Sequence, residues 1–87
     1  MKTKNSQELF EKSKKHIAGG VNSPVRAFKS VGGSPIFFKK SRGCYLYDED
    51  GNKYLDFVGS WGPMVLGHSN KNIINAIKNQ ASRGISF

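Results

Sequence analysis

The sequence predicts an α/β fold, in which a helix and an irregular arm precede a three-stranded antiparallel meander and a second helix. Apolar residues recur at helical spacing near both ends of the chain, around Leu9 and around Ile73. Between them, the turn-forming run at 48–52 separates two segments rich in aromatic and apolar residues, which is typical of a hairpin. These three features place the helices at the two ends and a small sheet in the middle.

The first helix is predicted within residues 1–18. Asn5 or Ser6 can cap its N-terminus, because short polar side chains accept hydrogen bonds from the free amides of a first turn. Gly19-Gly20 ends the helix. His16 is expected in the last turn, where a cation suits the helix dipole better than a metal would.

Residues 19–35 are predicted to form an irregular arm that carries an arginine. Pro24 fixes its own φ and biases Ser23 toward extended conformations, so the guanidinium of Arg26 projects from a semi-rigid segment. A planar fork of donors can hold a carboxylate through two parallel hydrogen bonds. Arg26 is therefore a candidate anion clamp, with an ordinary surface arginine as the alternative.

Residues 36–68 are assigned to the meander and a tryptophan loop. The predicted strands are 36–38, 44–47 and 53–58. Cys44, the only cysteine, is expected to be a small buried side chain of the second strand. The acidic residues at 48–50 predict a turn, because they lack the alternating ligand spacing of a calcium loop.

The loop that follows contains Trp61, the only tryptophan, between glycines. An indole in such a turn is either a core plug or a stacking wall for a planar ligand, and the sequence leaves both open. His68 is expected to pack or cap near the second helix. It has no Cys or His neighbours at zinc spacing, so no metal site is predicted.

The second helix is predicted within residues 69–87. Ser69 or Asn70 can cap it, and Arg83-Gly84 closes it. Its isoleucines and Ala81 share one face.

The net charge of +8 is concentrated in the first half of the chain, where residues 1–43 hold ten Lys/Arg against two Glu. A basic arm with phenylalanines can bind nucleic acid, which makes a small basic nucleic-acid-binding module one functional alternative. The lysines are dispersed rather than clustered, so we interpret them as a solvated face. No apolar run is long enough to span a bilayer and no secretory signal is evident, which predicts a cytoplasmic protein without membrane contact.

Two runs carry a family resemblance. Gly-Gly-Val-Asn-Ser-Pro-Val-Arg-Ala-Phe-Lys-Ser-Val-Gly-Gly at 19–33 and Val-Gly-Ser-Trp-Gly-Pro-Met-Val-Leu-Gly-His at 58–68 resemble the N-terminal part of glutamate-1-semialdehyde 2,1-aminomutases. These enzymes belong to the class III aminotransferase-like group. The segment 43–56 is shared more widely within that group. The resemblance therefore implies an N-terminal segment of a fold type I pyridoxal-phosphate-dependent transferase, in which residues 69–87 lead into a cofactor domain that this chain does not include.

The resemblance implies a reaction and a set of residues. The family isomerises glutamate 1-semialdehyde to 5-aminolevulinate, on the route to porphyrins, with pyridoxal 5'-phosphate as cofactor. It implies that Ser23, Val25 and Arg26 line the substrate entrance of the arm, that Arg26 takes the substrate carboxylate, and that Trp61 walls the pocket. The family's cofactor lysine, its aspartate and its phosphate cradle have no counterpart here. No catalytic, cofactor-binding or metal-binding residue is therefore assigned to this chain, which is expected to be inactive when isolated.

The implied partners are a small-molecule substrate and, for the complete enzyme, a second subunit in a homodimer. Specific nucleic-acid binding is not expected. Another class III aminotransferase remains an alternative, since it would share 43–56 without needing the run at 22–26.

Overall fold

Two helices and a three-stranded antiparallel sheet make up the structure, a computed structural model that describes residues 1–86. The elements in chain order are helix α1 (Lys4–Lys14), strands β1 (Phe38–Arg42), β2 (Tyr45–Asp48) and β3 (Lys53–Leu55), and helix α2 (Lys71–Arg83). The sheet order is β1-β2-β3. The predicted α/β architecture is confirmed. Residue 87, the end of the last predicted segment, lies outside the described residues.

The chain divides into two compact units. The first comprises Met1–Lys40 and Tyr47–Tyr54, and the second comprises Ser41–Leu46 and the described residues from Leu55 onward.

Helix α1, in the first unit, is capped by a residue distant in sequence. Asp50 accepts hydrogen bonds from the backbone amide of Asn5 at 2.6 Å and from that of Ser6 at 2.9 Å. Thr3 is the N-cap residue and makes no side-chain cap bond. The prediction that Asn5 or Ser6 caps the helix is therefore wrong, because both residues donate their amides to the Asp50 carboxylate.

The buried side chains of the first unit include polar ones. Ser6 and Asp48 are fully buried, and the Ser6 hydroxyl accepts a hydrogen bond from the Phe37 amide at 2.9 Å. The first strand was predicted at 36–38, but β1 begins only at Phe38, and this hydrogen bond helps to explain the difference. The amide of Phe37 is taken by a side chain instead of a neighbouring strand.

Helix α1 ends at Lys14, and a short 3₁₀ turn follows at Ala18–Gly20. His16 therefore lies beyond the helix and not in its last turn, which corrects the prediction. Gly20 is buried against the ring of Phe10, and a Cβ there would come within 2.8 Å of that ring. The glycine thus permits a close approach of the chain to the helix.

Two further predictions about the sheet are corrected. Cys44 is exposed in the turn between β1 and β2, so it is not a buried strand residue. Strand β3 ends at Leu55 and not at residue 58. The amide of the next residue, Asp56, still donates to the Cys44 carbonyl at 2.8 Å. The Asp56 carboxylate then accepts the amide of Val58, so this amide is bonded locally and not to a neighbouring strand.

Helix α2 begins as predicted. The side chain of Asn70 accepts hydrogen bonds from the amides of Asn72 and Ile73, which is the expected N-cap. Its isoleucines are exposed within the described part of the chain. Among residues 1–86, no helix is long and apolar enough to cross a membrane.

Candidate functional site

The arginine of the arm stands on a single 3₁₀ turn, Pro24–Ala27, in the first unit. Ser23 precedes the turn in an extended conformation (φ −141°, ψ 134°), as expected for a residue before proline. Its carbonyl accepts a hydrogen bond from the Arg26 amide at 3.0 Å. Ala27, the last residue of the turn, is buried. The backbone of Arg26 therefore lies in a hydrogen-bonded 3₁₀ turn, where the sequence predicted an irregular arm.

The Arg26 side chain borders a cavity of about 640 Å³. The cavity is mainly apolar, and its other lining residues include Ile17, Val21, Asn22, Phe28, Ile36 and Phe37. Arg26 is exposed, and within residues 1–86 its guanidinium has no hydrogen bond or ion pair. An unpaired guanidinium beside apolar walls can accept a ligand with one anionic end and an aliphatic body.

The two other arm residues assigned to substrate differ in exposure. Val25, at the outer side of the same turn, is exposed, whereas Ser23 is partly buried. Ser23 immediately precedes the turn that carries Val25 and Arg26, so the three residues are neighbours in the chain.

Trp61 lies in the second unit, on a turn of unusual handedness. Gly59, Ser60 and Trp61 have φ values of 56°, 54° and 66°, and Gly62 follows at 115°. Residues with a Cβ rarely adopt this left-handed region because it brings Cβ close to the following carbonyl. The indole is 88% exposed, so it is not a core plug of the described residues.

A buried pair that the sequence did not reveal lies next to this turn. Oδ2 of Asp56 is 2.6 Å from Nε2 of His68, and both side chains are at most 10% exposed. Oδ1 of Asp56 accepts the amides of Val58 at 2.8 Å and Gly59 at 3.1 Å. The bond to His68, followed by these two backbone bonds, lowers the pKa of Asp56 below its ordinary value. Because an ionised carboxylate has no proton to give, Nε2 of His68 is the donor.

The position of His68 corrects the expectation that it packs or caps near the second helix. Its backbone pairs with Gly43 in an isolated antiparallel bridge, with N–O distances of 2.8 and 2.9 Å. Gly67 lies against the same segment, where a Cβ would be 2.9 Å from the Gly43 carbonyl oxygen. The signal available in the sequence was an aspartate just after the third strand and a Gly-His pair twelve positions later, but nothing local connects these residues.

The hairpin turn of the first unit holds a second carboxylate cluster. Asp48 accepts hydrogen bonds from the amides of Asp50 and Asn52, the side-chain amide of Asn52 and the Tyr54 hydroxyl. Burial alone would raise the pKa of Asp48, but these donors outweigh it and the pKa lies below its ordinary value. The Asp48 carboxylate oxygens are therefore bonded to donors of the same hairpin, and the role of this cluster is structural. Among the described residues, no group of His, Cys, Asp and Glu is arranged to hold a metal.

Comparison with known proteins assigns the family. The family model for class III aminotransferases matches residues 28–87, so the chain belongs to the class III aminotransferase family. Trp61 and the Asp56–His68 pair lie inside the matched segment, whereas Ser23, Val25 and Arg26 lie just before it.

Solved structures agree with this assignment. An omega-transaminase from Sphaerobacter thermophilus is 28% identical with a TM-score of 0.76, covering 94% of this chain and 18% of that one. A glutamate-1-semialdehyde-aminomutase from Pseudomonas aeruginosa is 25% identical with a TM-score of 0.81, covering 97% and 18%. An adenosylmethionine-8-amino-7-oxononanoate aminotransferase from Methanocaldococcus jannaschii is 35% identical with a TM-score of 0.67, covering 88% and 17%.

The chain thus spans less than a fifth of the length of these three enzymes. The matches include transaminases as well as the aminomutase. A variant of that aminomutase has been solved in complex with PMP, the amino form of pyridoxal phosphate. The family is therefore one of pyridoxal-phosphate-dependent enzymes.

The lysines of the described residues do not fit covalent binding of pyridoxal phosphate. A lysine that binds the cofactor covalently is activated by desolvation or by a neighbouring cation. All eleven lysines of the chain are exposed.

Proposed function

We propose that this chain provides substrate-facing residues of a class III pyridoxal-phosphate-dependent enzyme, and that the enzyme is a glutamate-1-semialdehyde 2,1-aminomutase. One observation carries the proposal. Arg26 presents an unpaired guanidinium from a fixed turn beside an apolar cavity of about 640 Å³. This arrangement suits a small aliphatic carboxylate such as glutamate 1-semialdehyde.

The role of Arg26 in this proposal is to bind and orient. A bidentate pair with the substrate carboxylate would fix one end of the molecule, and the walls formed by Ile36 and Phe37 would exclude water from its methylene groups. Bound pyridoxal phosphate supplies the electron sink for moving the amino group. Ser23 and Val25 belong to the same entrance in the proposal, on the strength of the resemblance and of their positions beside Arg26, Val25 within its turn and Ser23 just before it.

Trp61 is the remaining proposed substrate-facing residue. Its support is the resemblance of its loop to the aminomutases, together with its exposure on a turn that holds it away from a core. A large exposed indole on a constrained backbone is well suited to stacking against a planar group.

A transaminase is the second candidate, and a specific observation favours it. The Methanocaldococcus jannaschii aminotransferase is 35% identical to this chain, whereas the Pseudomonas aeruginosa aminomutase is 25% identical. The aminomutase is preferred because the run at 22–26 that carries Arg26 belongs to its resemblance and not to the wider group.

The two candidates differ in what they consume. An aminomutase moves the amino group between two carbons of one molecule, so glutamate 1-semialdehyde alone should yield 5-aminolevulinate. A transaminase needs a separate amino donor and a separate keto acid. The test is to incubate the complete enzyme, loaded with pyridoxal phosphate or its amino form, with glutamate 1-semialdehyde alone and to measure 5-aminolevulinate. Turnover that requires an added donor and acceptor would identify a transaminase.

Family membership favours an enzyme over a nucleic-acid-binding module. Dispersed lysines should give a weak, purely ionic complex that fades as salt rises. Fluorescence anisotropy with several oligonucleotides at two salt concentrations would measure this. Tight binding to one sequence at physiological salt would support the module instead.

A further inference from the structure

The carboxylate of Asp56 connects two otherwise separate segments of the second unit. One oxygen accepts the amides of Val58 and Gly59, at the start of the turn that carries Trp61. The other oxygen accepts the ring proton of His68. No buried side-chain nitrogen or oxygen among residues 1–86 lacks a partner. Asp56 therefore divides its two oxygens between the tryptophan turn and the histidine.

His68 is itself firmly anchored. Its amide and carbonyl form the paired bridge with Gly43, and the adjacent Gly67 leaves no room for a side chain against that segment. The residue after it, Ser69, donates its hydroxyl to the Ser41 carbonyl at 2.8 Å. His68 thus provides a fixed donor to which the Asp56 carboxylate is oriented.

The turn that Asp56 holds needs support. Ser60 and Trp61 both have left-handed backbone conformations that are unfavourable for residues with a Cβ. Such conformations persist when surrounding contacts determine them, and they are frequent at ligand sites. Within the turn, the backbone bonds are from Trp61 to Val58 at 3.2 Å and from Gly62 to Gly59 at 3.1 Å.

We infer that Asp56 and His68 are positioning residues whose hydrogen-bonded pair holds the left-handed turn and so fixes the place of the Trp61 indole. His68 acts through Asp56, and Asp56 acts through the amides of Val58 and Gly59. Neither residue needs to touch the substrate. The importance of this positioning for catalysis rests on the proposed function, in which Trp61 faces the substrate. The inference that the pair holds the turn does not depend on the proposed function.

The direct test is backbone ¹⁵N relaxation of the Trp61 amide. In the unsubstituted protein we expect an order parameter of about 0.85, as in rigid backbone, and in His68→Leu a fall below about 0.6. His68→Gln keeps a side-chain donor and should recover most of the lost order. Ser82→Ala is the matched control, because it removes another serine hydroxyl bond of the second unit, the one to the Asn79 carbonyl, without involving Asp56 or the segments that anchor His68, and it should leave the order parameter unchanged.

Equal order parameters in the unsubstituted protein and in a folded His68→Leu variant would overturn the inference. Hydrogen exchange in the unsubstituted protein provides a second measurement in case the Leu variant does not fold. The amides of Val58 and Gly59 should be protected, and exchange at the rate of an unstructured peptide would contradict their bonding to Asp56.

Kinetics of the complete enzyme separate this inference from the proposed function. If the inference and the proposed function both hold, His68→Leu should raise KM for substrate by about tenfold, because the Trp61 indole would no longer be held in place against the substrate. His68→Gln should raise KM less. Trp61→Ala should then raise KM as well. An unchanged KM in Trp61→Ala would show that Trp61 does not face the substrate, while the relaxation data would still decide whether the pair holds the turn.

Discussion

The hydroxyl of Tyr54 donates a hydrogen bond to the buried carboxylate of Asp48 across 2.8 Å. The two residues belong to opposite strands of one hairpin, and the bond shifts both ionisations. Burial and then the bond to Asp48 raise the pKa of Tyr54 above its ordinary value. The pKa of Asp48 is lowered despite burial, because four donors stabilise its charged form.

The first prediction is that stability declines at both ends of the pH scale for opposite reasons. The Asp48 contribution is present above its unfolded pKa of 3.8 and is lost as pH falls through the lower folded value. The Tyr54 contribution is present below its unfolded pKa of 10.0 and is lost as pH rises through the higher folded value. In Tyr54→Phe the alkaline decline should shrink and the melting temperature at neutral pH should fall by several degrees. Thermal melts by circular dichroism across pH measure both effects.

The control for that experiment is Tyr47→Phe. The Tyr47 ring lies under the Lys40 ammonium at 4.9 Å, and its hydroxyl makes no hydrogen bond among residues 1–86. An equal loss of the alkaline decline in this variant would contradict the assignment to Tyr54.

A second prediction concerns the cap of helix α1. Asp50→Ala leaves the amides of Asn5 and Ser6 without their acceptor and should destabilise the protein by about 0.5–2 kcal/mol, the usual effect of losing an N-cap. Glu49→Ala removes the same charge from the neighbouring position, where the side chain makes no bond among residues 1–86, and should have little effect. Urea unfolding of the two variants makes the comparison, and equal losses would show that charge rather than capping is responsible.

Gly67→Ala provides a third prediction. Gly67 has a φ of 78°, and its added Cβ would lie 2.9 Å from the Gly43 carbonyl oxygen. The left-handed conformation alone costs about 1–2 kcal/mol for a residue with a Cβ, and the contact should add to this. Gly43→Ala, at φ 59° with no atom within 4 Å of the new Cβ, carries only the first cost. We expect the unfolding midpoint to fall further in Gly67→Ala, and the reverse order would be inconsistent with the contact.

The fourth prediction tests the carboxylate clamp. Arg26→Lys keeps the charge but loses the planar fork, so kcat/KM for substrate should fall by about one to two orders of magnitude, corresponding to about 1–3 kcal/mol of charge-assisted binding. The absorbance of bound cofactor should hardly change. Arg42→Lys, the same replacement at another exposed arginine, is the control. Normal turnover by the Arg26→Lys enzyme, or loss of its cofactor, would remove Arg26 from the proposed role.

Local signals predicted much of the fold. The turn at 48–52 and the Asn70 cap depend on residues within a few positions of one another, and both are confirmed. The errors lie where distant residues compete for the same backbone groups. Asp50 supplies the acceptors for the start of α1, and the Ser6 hydroxyl takes the amide that a strand beginning at residue 36 would have used.

The site shows the same division. The extended conformation of Ser23 before Pro24 follows from proline geometry and was predicted, whereas the 3₁₀ turn that carries Arg26 was not. The Asp56–His68 pair was not, because its formation depends on the bridge between Gly43 and His68, which the sequence does not encode locally. The left-handed conformation of Trp61 was equally hidden, since an aromatic residue ordinarily avoids it.

The cap of helix α1 also has a consequence for the order of events during synthesis. Asn5 and Asp50 are 45 positions apart, so the helix segment leaves the ribosome well before the carboxylate that completes it. At 5–20 residues per second, the interval is roughly 2–9 seconds. Helix–coil exchange is far faster than this, so the segment samples and loses helical structure many times while it waits. Its lasting formation is therefore tied to closure of the hairpin, so helix α1 becomes stable only after a segment that is translated later.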